Sequence, residues 1–191
     1  MKLTLEEFSP DNADLVLSWR NSEEVRMNSL DDRIIDKDEH LSFIASICCR
    51  KDKKFFLFRV NDVPVSVMNL NLVDGGEAMY WGCYIGDGQK VMPGVFPLMI
   101  ALCGKLAFQK YGCKRVVSDV LEHNSSPQKM NDYLGIKRSG QRKIRRSSGD
   151  DVLSIEYRLD ASEWPHVESR LRSVLTKGQL SMLHEFDCDS V

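Results

Sequence analysis

Residues 78–111 read AMYWGCYIGDGQKVMPGVFPLMIALCGKLAFQKY, and this stretch decides the fold. Its first eight residues, Ala78 to Ile85, are a run of apolar and aromatic side chains of strand length. Gly86-Asp87-Gly88 ends the run. A loop follows, and the pattern predicts a largely apolar helix from about Val95 to Tyr111, closed by Gly112. The longest apolar tract, Val91 to Phe108, is interrupted by Pro93, Gly94, Pro97, Gly104 and Lys105. It does not read as a membrane span, which needs a longer unbroken stretch.

Outward toward the N-terminus, Leu3 to Phe8 reads as a first strand. Ser9-Pro10-Asp11 reads as a helix start, a hydroxyl cap followed by Pro at the first helical position. That helix carries Leu15, Val16 and Trp19 on one face and is expected to run to about Val25. A loop from Asn28 to Ile35 precedes a second helix starting at Asp36, with Leu41, Ile44, Ile47 and Cys48 spaced three and four apart. Lys54 to Val60, within KKFFLFRV, is a continuous apolar strand suited to a covered sheet. Asn61-Asp62 is a turn, Val63 to Val73 its hairpin partner, and Asp74-Gly75-Gly76 the next turn.

Toward the C-terminus, Lys114 to Leu121 reads as a strand and Ser125 to Leu134 as a short helix closed by Gly135. Two final strands are expected around a basic turn from Lys137 to Asp151, and the second, VLSIEYRL, alternates cleanly. A last amphipathic helix is expected from about Ala161 to Leu175, with Trp164, Val167, Leu171 and Leu175 as its stripe, followed by a tail. Hairpins mixed with βα units imply a mixed sheet with helices on both faces. The expected organisation is a main domain over 1–160 and a C-terminal helix and tail over 161–191 packed on it.

The 191 residues are 42% hydrophobic and 28% charged, the make-up of an ordinary soluble globular protein with one core. With 26 basic and 28 acidic residues, the net charge of -2 gives no basic face for nucleic acid. The N-terminus MKLTLEEFSPD carries acids directly after its first apolar residues and has no secretory signal pattern. A cytoplasmic location is expected, with no membrane association. The six cysteines show no C-x-x-C or metal spacing and are expected to be reduced, buried thiols, with no metal.

The element order resembles the GNAT acyltransferase fold, an α/β (α+β) architecture with a mixed, mostly antiparallel central sheet. Trp19-Arg20-Asn21, then Glu39-His40-Leu41-Ser42-Phe43-Ile44, then Lys54-Phe55-Phe56-Leu57 resemble the opening of one subfamily. This is the flagellin-modification acetyltransferase group of the pseudaminic acid pathway. Ribosomal-protein N-terminal acetyltransferases share a looser version. The resemblance covers roughly Leu3 to Leu159. It implies acetyl-CoA as co-substrate and, as acceptor, the amino group of a UDP-linked amino sugar, in a monomer or homodimer. A protein or peptide N-terminal acetyltransferase, and a GNAT-like acyl-CoA-binding module without turnover, are the alternatives.

In this family the coenzyme A pyrophosphate sits at the N-terminus of the central helix, where backbone N–H groups and the helix dipole favour an anion. The usual Gln/Arg-x-x-Gly-x-Gly loop corresponds here to Lys90-Val91-Met92-Pro93-Gly94-Val95-Phe96-Pro97. Gly94 fits the first glycine, Phe96 stands at the second, and Pro97 removes one donor. The resemblance implies cofactor contacts from Lys90, Gly94, Val95 and Phe96, and from Tyr84 and Ile85 on a splayed strand beside Trp81. It adds Asn124, which is also a good helix N-cap.

The family's proton donor is often a Tyr seven positions after that Asn, where this chain has Asn131. Asn131 holding the sulfur, Tyr133 substituting, or unassisted departure are the options for the leaving thiolate. Candidate bases are Tyr80, standing where some relatives carry a carboxylate, then Asp119, Glu122, His123 and His40, or a water chain. The resemblance places His40, Phe43 and Trp81 against the acceptor, with Arg20 and Arg26 as phosphate partners. The basic run from Lys137 to Arg146 reads as a solvated loop or as a steering patch.

Overall fold

The structure is a computed structural model that describes residues 2–86 and 93–190. Seven strands form one sheet in the order β1-β2-β3-β4-β5-β7-β6. They are β1 Leu3–Glu7, β2 Lys53–Val60, β3 Val63–Val73, β4 Ala78–Ile85, β5 Arg115–Leu121, β6 Lys137–Arg145 and β7 Asp151–Asp160. The hairpin β2–β3 turns through Asn61 (φ 50) and Asp62 (φ 64), the left-handed pair that matches strand twist. Among the described residues only β4 and β5 run parallel, because a helical crossover joins them.

The helices are α1 Ala13–Arg20, α2 Glu23–Met27, α3 Lys37–Cys48, α4 Val95–Gly104, α5 Ser125–Leu134, α6 Trp164–Val174 and α7 Lys177–Glu185. Helix α4 continues to Lys110 as a π-helical segment. Strand β2 explains its own continuous apolar run. Phe56, Phe58 and Val60 face one layer, with Met79, Trp81, Leu98, Leu102 and Trp164. Leu57 faces the other, with Val16, Trp19, Ile44 and Ile47 of α1 and α3.

The structure corrects the sequence reading in four places. The first helix begins at Ala13, not at Pro10, because Asn12 folds back to accept from the Ser9 N–H and to donate to Glu6 and the Glu7 carbonyl. It also ends at Arg20, where Ser22 caps a separate turn, α2. The basic segment is not a turn but β6 itself, an edge strand whose charges face solvent. Its cations are paired: Lys137 with Glu163, Arg138 with Asp132, Arg142 with Asp119, and Lys143 and Arg145 with Asp151. The steering reading loses its free charge there. Cys48 and Cys49 are exposed rather than buried.

The fourth correction is the C-terminus, which is not a tail. Thr176 opens α7 with a capping box closed by Gln179. Met182 and Phe186 are buried in the main core. Helix α6 docks on α4 through Trp164, whose ring lies 2.2 Å from where a Cβ on Gly104 would stand. The Lys105 ammonium donates to the Leu183 and Phe186 carbonyls at 2.9 Å each, holding the end of α7.

Candidate active site

Strand β4 pairs with β3 along its full length, from Ala78↔Val73 to Ile85↔Ser66. Its other edge pairs with β5 only at Ala78↔Arg115, Met79↔Val116 and Tyr80↔Val117. Beyond Tyr80 the two strands part. Among the described residues no strand takes the edge of Trp81–Ile85 that faces the gap. The chain leaves β4 at the open end of this split, so α4 starts there, with its first N–H groups lacking intrahelical acceptors. Gly94 caps α4 in the left-handed conformation (φ 85). Phe96 turns inward and stacks on Trp81, ring centroids 6.1 Å apart.

The point where the strands part is bracketed on both faces. On the α1–α3 face, Tyr80 feels the charge of Asp119, the first same-face residue of β5 past the last pair. The Asp119 carboxylate accepts from Ser154 Oγ at 2.9 Å and Arg142 Nη2 at 2.8 Å. Burial, then the Asp119 charge, push the Tyr80 hydroxyl well above its usual range, so it stays protonated. On the α4 face, Trp81, Ser118 and Asn131 line a cavity of about 20 Å³. Asn131 is itself buried on α5.

The predicted residues divide sharply. Asn131, Tyr80 and Trp81 converge on the split. Tyr133 does not: its hydroxyl bonds Ser173 Oγ of α6 at 3.0 Å, on the outside, because two helical positions rotate it away from Asn131. His123 lies on the exposed β5–α5 loop and donates from Nε2 to the Met27 carbonyl at 2.9 Å, a tie between loops. Asn124 precedes α5 without making a side-chain cap bond, contrary to the capping expectation. Gln128 instead donates to the Leu121, Glu122 and Asn124 carbonyls. Tyr84 faces the α1–α3 layer, its hydroxyl also pushed up by burial, and Ile85 ends β4 exposed. Lys90 lies outside the described residues.

The Trp-Arg-Asn string is structural to a degree the sequence hid. Trp19 covers Gly86, whose Cβ would stand 2.3 Å from the ring. Asn21 brackets Ile35, donating to its carbonyl at 2.7 Å and accepting from its N–H at 2.9 Å. Arg20 Nη2 donates to the Asp31 carbonyl, and Arg26 to the Asn21 and Asp32 carbonyls. Arg26 thus spends its Nε and Nη1 donors on this loop. Arg20 keeps a buried Nη1 without a partner. His40 is 4% exposed, with a buried Nε2 that has no partner. Burial holds its imidazole below the usual range, so it is neutral. Phe43 packs edge-on against Phe55 of β2, 5.0 Å between centroids, a core contact at the margin of that layer.

Residues that the sequence left undistinguished are Ser154 and Gln179, and Arg142 was marked only as part of the basic run. None is near the split in sequence, and only strand register or helix docking brings them in.

A parallel pair that parts after three residues, with a helix N-terminus at its mouth, is the GNAT fold. Solved structures share it. A protein described as a "putative acetyltransferase" matches at TM-score 0.77, with 15% identity over 93% of both chains. Spermidine N-acetyltransferase from Vibrio cholerae, in complex with CoA and spermine, matches at 0.75, with 11% identity over 86% of this chain and 98% of that one. Campylobacter jejuni N-acetyltransferase PseH, in complex with acetyl coenzyme A, matches at 0.61, with 16% identity over 83% and 98%. At these identities the likeness is one of fold. No family model matches the sequence, and no curated protein does. Among the described residues no helix is long and apolar enough to cross a membrane, and no group of three or more His, Cys, Asp or Glu is placed to hold a metal.

Proposed function

We propose that this protein is an acetyl-CoA-dependent N-acetyltransferase that transfers acetyl directly to an amine in a ternary complex. The observation that carries the proposal is the split itself. An unpaired β4 edge suits an extended amide-bearing pantetheine arm, which completes the ladder as an added strand would. Backbone N–H groups at Gly94, Val95 and Phe96, at the start of α4, suit the pyrophosphate. The closed end of the split then receives the thioester, between Tyr80–Asp119 on one face and Asn131 on the other.

The amine must be neutral to attack the thioester carbonyl carbon. Asp119, two residues past the last β4–β5 pair, has the role of holding the ammonium and taking its proton, directly or through Tyr80 and water. The C–N bond forms and the C–S bond breaks; the nitrogen gives up its second proton to water, and the thiolate takes a proton from solvent while Asn131 donates to sulfur. An acyl-cysteine route is disfavoured. Cys83 on β4 is buried and its thiol is pushed up to about 12, so its thiolate fraction at neutral pH is on the order of one in 10⁵.

For the acceptor we favour a nucleotide-linked amino sugar. Arg20 Nη1 and His40 Nε2 support this reading as buried donors or acceptors without protein partners, Arg20 lying close enough to Tyr84 and His40 to act on both electrostatically. A guanidinium and an imidazole are the groups that bind a diphosphate and a sugar hydroxyl. The test is calorimetry with acetyl-CoA, then thiol release over UDP-linked amino sugars, polyamines, aminoglycosides and N-terminal peptides. Failure to bind acetyl-CoA at high micromolar protein rejects the enzyme. Turnover confined to polyamines or peptides rejects the acceptor.

A further inference from the structure

The turn Pro93–Phe96 that opens α4 lacks the second glycine of the usual phosphate cradle, yet its one glycine, Gly94, is held in place from an unexpected direction. Gln179 of α7, 1% exposed, donates from Nε2 to the Pro93 carbonyl at 2.8 Å. Its Oε1 accepts from the Thr176 N–H at 2.9 Å and lies 3.2 Å from Thr176 Oγ1. The amide is therefore oriented by the helix cap on one side and spends its donor on the loop on the other. Gly94 lies directly against it: a Cβ there would meet Gln179 Nε2 at 2.8 Å, and the residue's φ of 85 also disfavours a side chain. On the opposite flank Phe96 stacks on Trp81.

We infer that Gln179 is a positioning residue for the phosphate-binding turn, so that the C-terminal helix α7 sets affinity for the nucleotide half of acetyl-CoA. The inference rests on the function proposed above. Gln179 reaches no reacting atom; it fixes the peptide plane between Pro93 and Gly94, and with it the direction of the next N–H groups. A turn with glycine at both positions relies on backbone freedom to close on a phosphate. Here Phe96 and Pro97 restrict the turn, and an external amide holds its single flexible residue in the required conformation.

The test uses the full chain and two variants, Gln179→Leu, which keeps the buried volume, and Gln179→Ala. Coenzyme A binding is measured by calorimetry at a temperature well below both unfolding midpoints. The expected result is a Kd for coenzyme A raised about tenfold. In turnover, the KM for acetyl-CoA rises by a similar factor while kcat and the KM for the amine stay within twofold. S-acetylpantetheine, which lacks the pyrophosphate, is used equally well by wild type and variant. Variants that lose melting temperature but bind coenzyme A within twofold of wild type overturn the inference. A wild-type chain that binds no coenzyme A overturns the proposed function, and this inference with it. If both variants fail to fold, Gln179→Glu reads the same contact: a carboxylate still accepts from the Thr176 N–H but cannot donate to the Pro93 carbonyl. A coenzyme A Kd raised at least threefold then supports the inference, and one unchanged sinks it.

Discussion

The two edges of β4 are made of the same eight residues and meet different fates. One edge is zipped to β3 from end to end, and the other is zipped to β5 for three residues and then left open. The zipped edge faces a hairpin, where a short turn fixes the register. The open edge faces a strand reached through a whole helix, so nothing local forces the pair to stay together. What holds the gap is packing: Phe96 on Trp81 above, and the Tyr80–Asp119–Arg142 set below. The difference teaches that register follows the connection: a two-residue turn holds a pair along its whole length, and a helical crossover does not.

The comparison can be broken most severely at Trp81. Trp81→Ala removes a buried ring and the seat of Phe96, with an expected loss of about 3–5 kcal/mol in urea unfolding. It should weaken coenzyme A binding as well. A variant as stable as wild type would mean that packing does not keep the edge open.

Next comes Asp119→Asn, which leaves the pairing of β4 and β5 intact while removing the charge below the split. About a 10²-fold drop in kcat/KM for amine acetylation is expected. An unchanged rate would move the base elsewhere. The pair Asn131 and Tyr133 then sharpens the site. Asn131→Ala should raise the coenzyme A Kd roughly fivefold, the value of about one hydrogen bond. Tyr133→Phe should leave every kinetic constant within twofold, because its hydroxyl serves Ser173.

The smallest expected effect lies at His40, in the layer behind the split. Its imidazole is neutral in the fold because burial lowers its affinity for a proton, while the unfolded chain returns it to about 6.5. Below that value the unfolded state binds more protons, so stability falls as pH drops from 7.5 to 5.5. His40→Gln should flatten that fall in thermal melts. An equally steep decline in the variant would assign it to other groups.

Much of the architecture was legible in the chain. The strands Val63–Val73 and Ala78–Ile85 and the helix Ser125–Leu134 carry their boundaries in turn residues: Asn61-Asp62, Asp74-Gly75-Gly76 and Gly135. Hydrophobic period and punctuation are local properties, and they determined the element order and the mixed sheet. The C-terminus was misread as a tail because α7 presents a weak stripe. Only the tertiary structure buries Gln179 and Met182 and ties the helix to the Pro93 carbonyl.

For the site, sequence offered residue types at family positions, and the fold sorted them. Asn131 and Tyr133 are equally polar and two residues apart, yet one is buried at the split and the other is exposed against α6. Arg20 and Arg26 look alike as phosphate ligands, but loop carbonyls claim most of Arg26. Which donors remain unpaired, and which strand edge stays open, depends on contacts between residues dozens of positions apart. Local chemistry determined what each segment could become. Only the tertiary structure decided which of its polar groups were left over for a substrate.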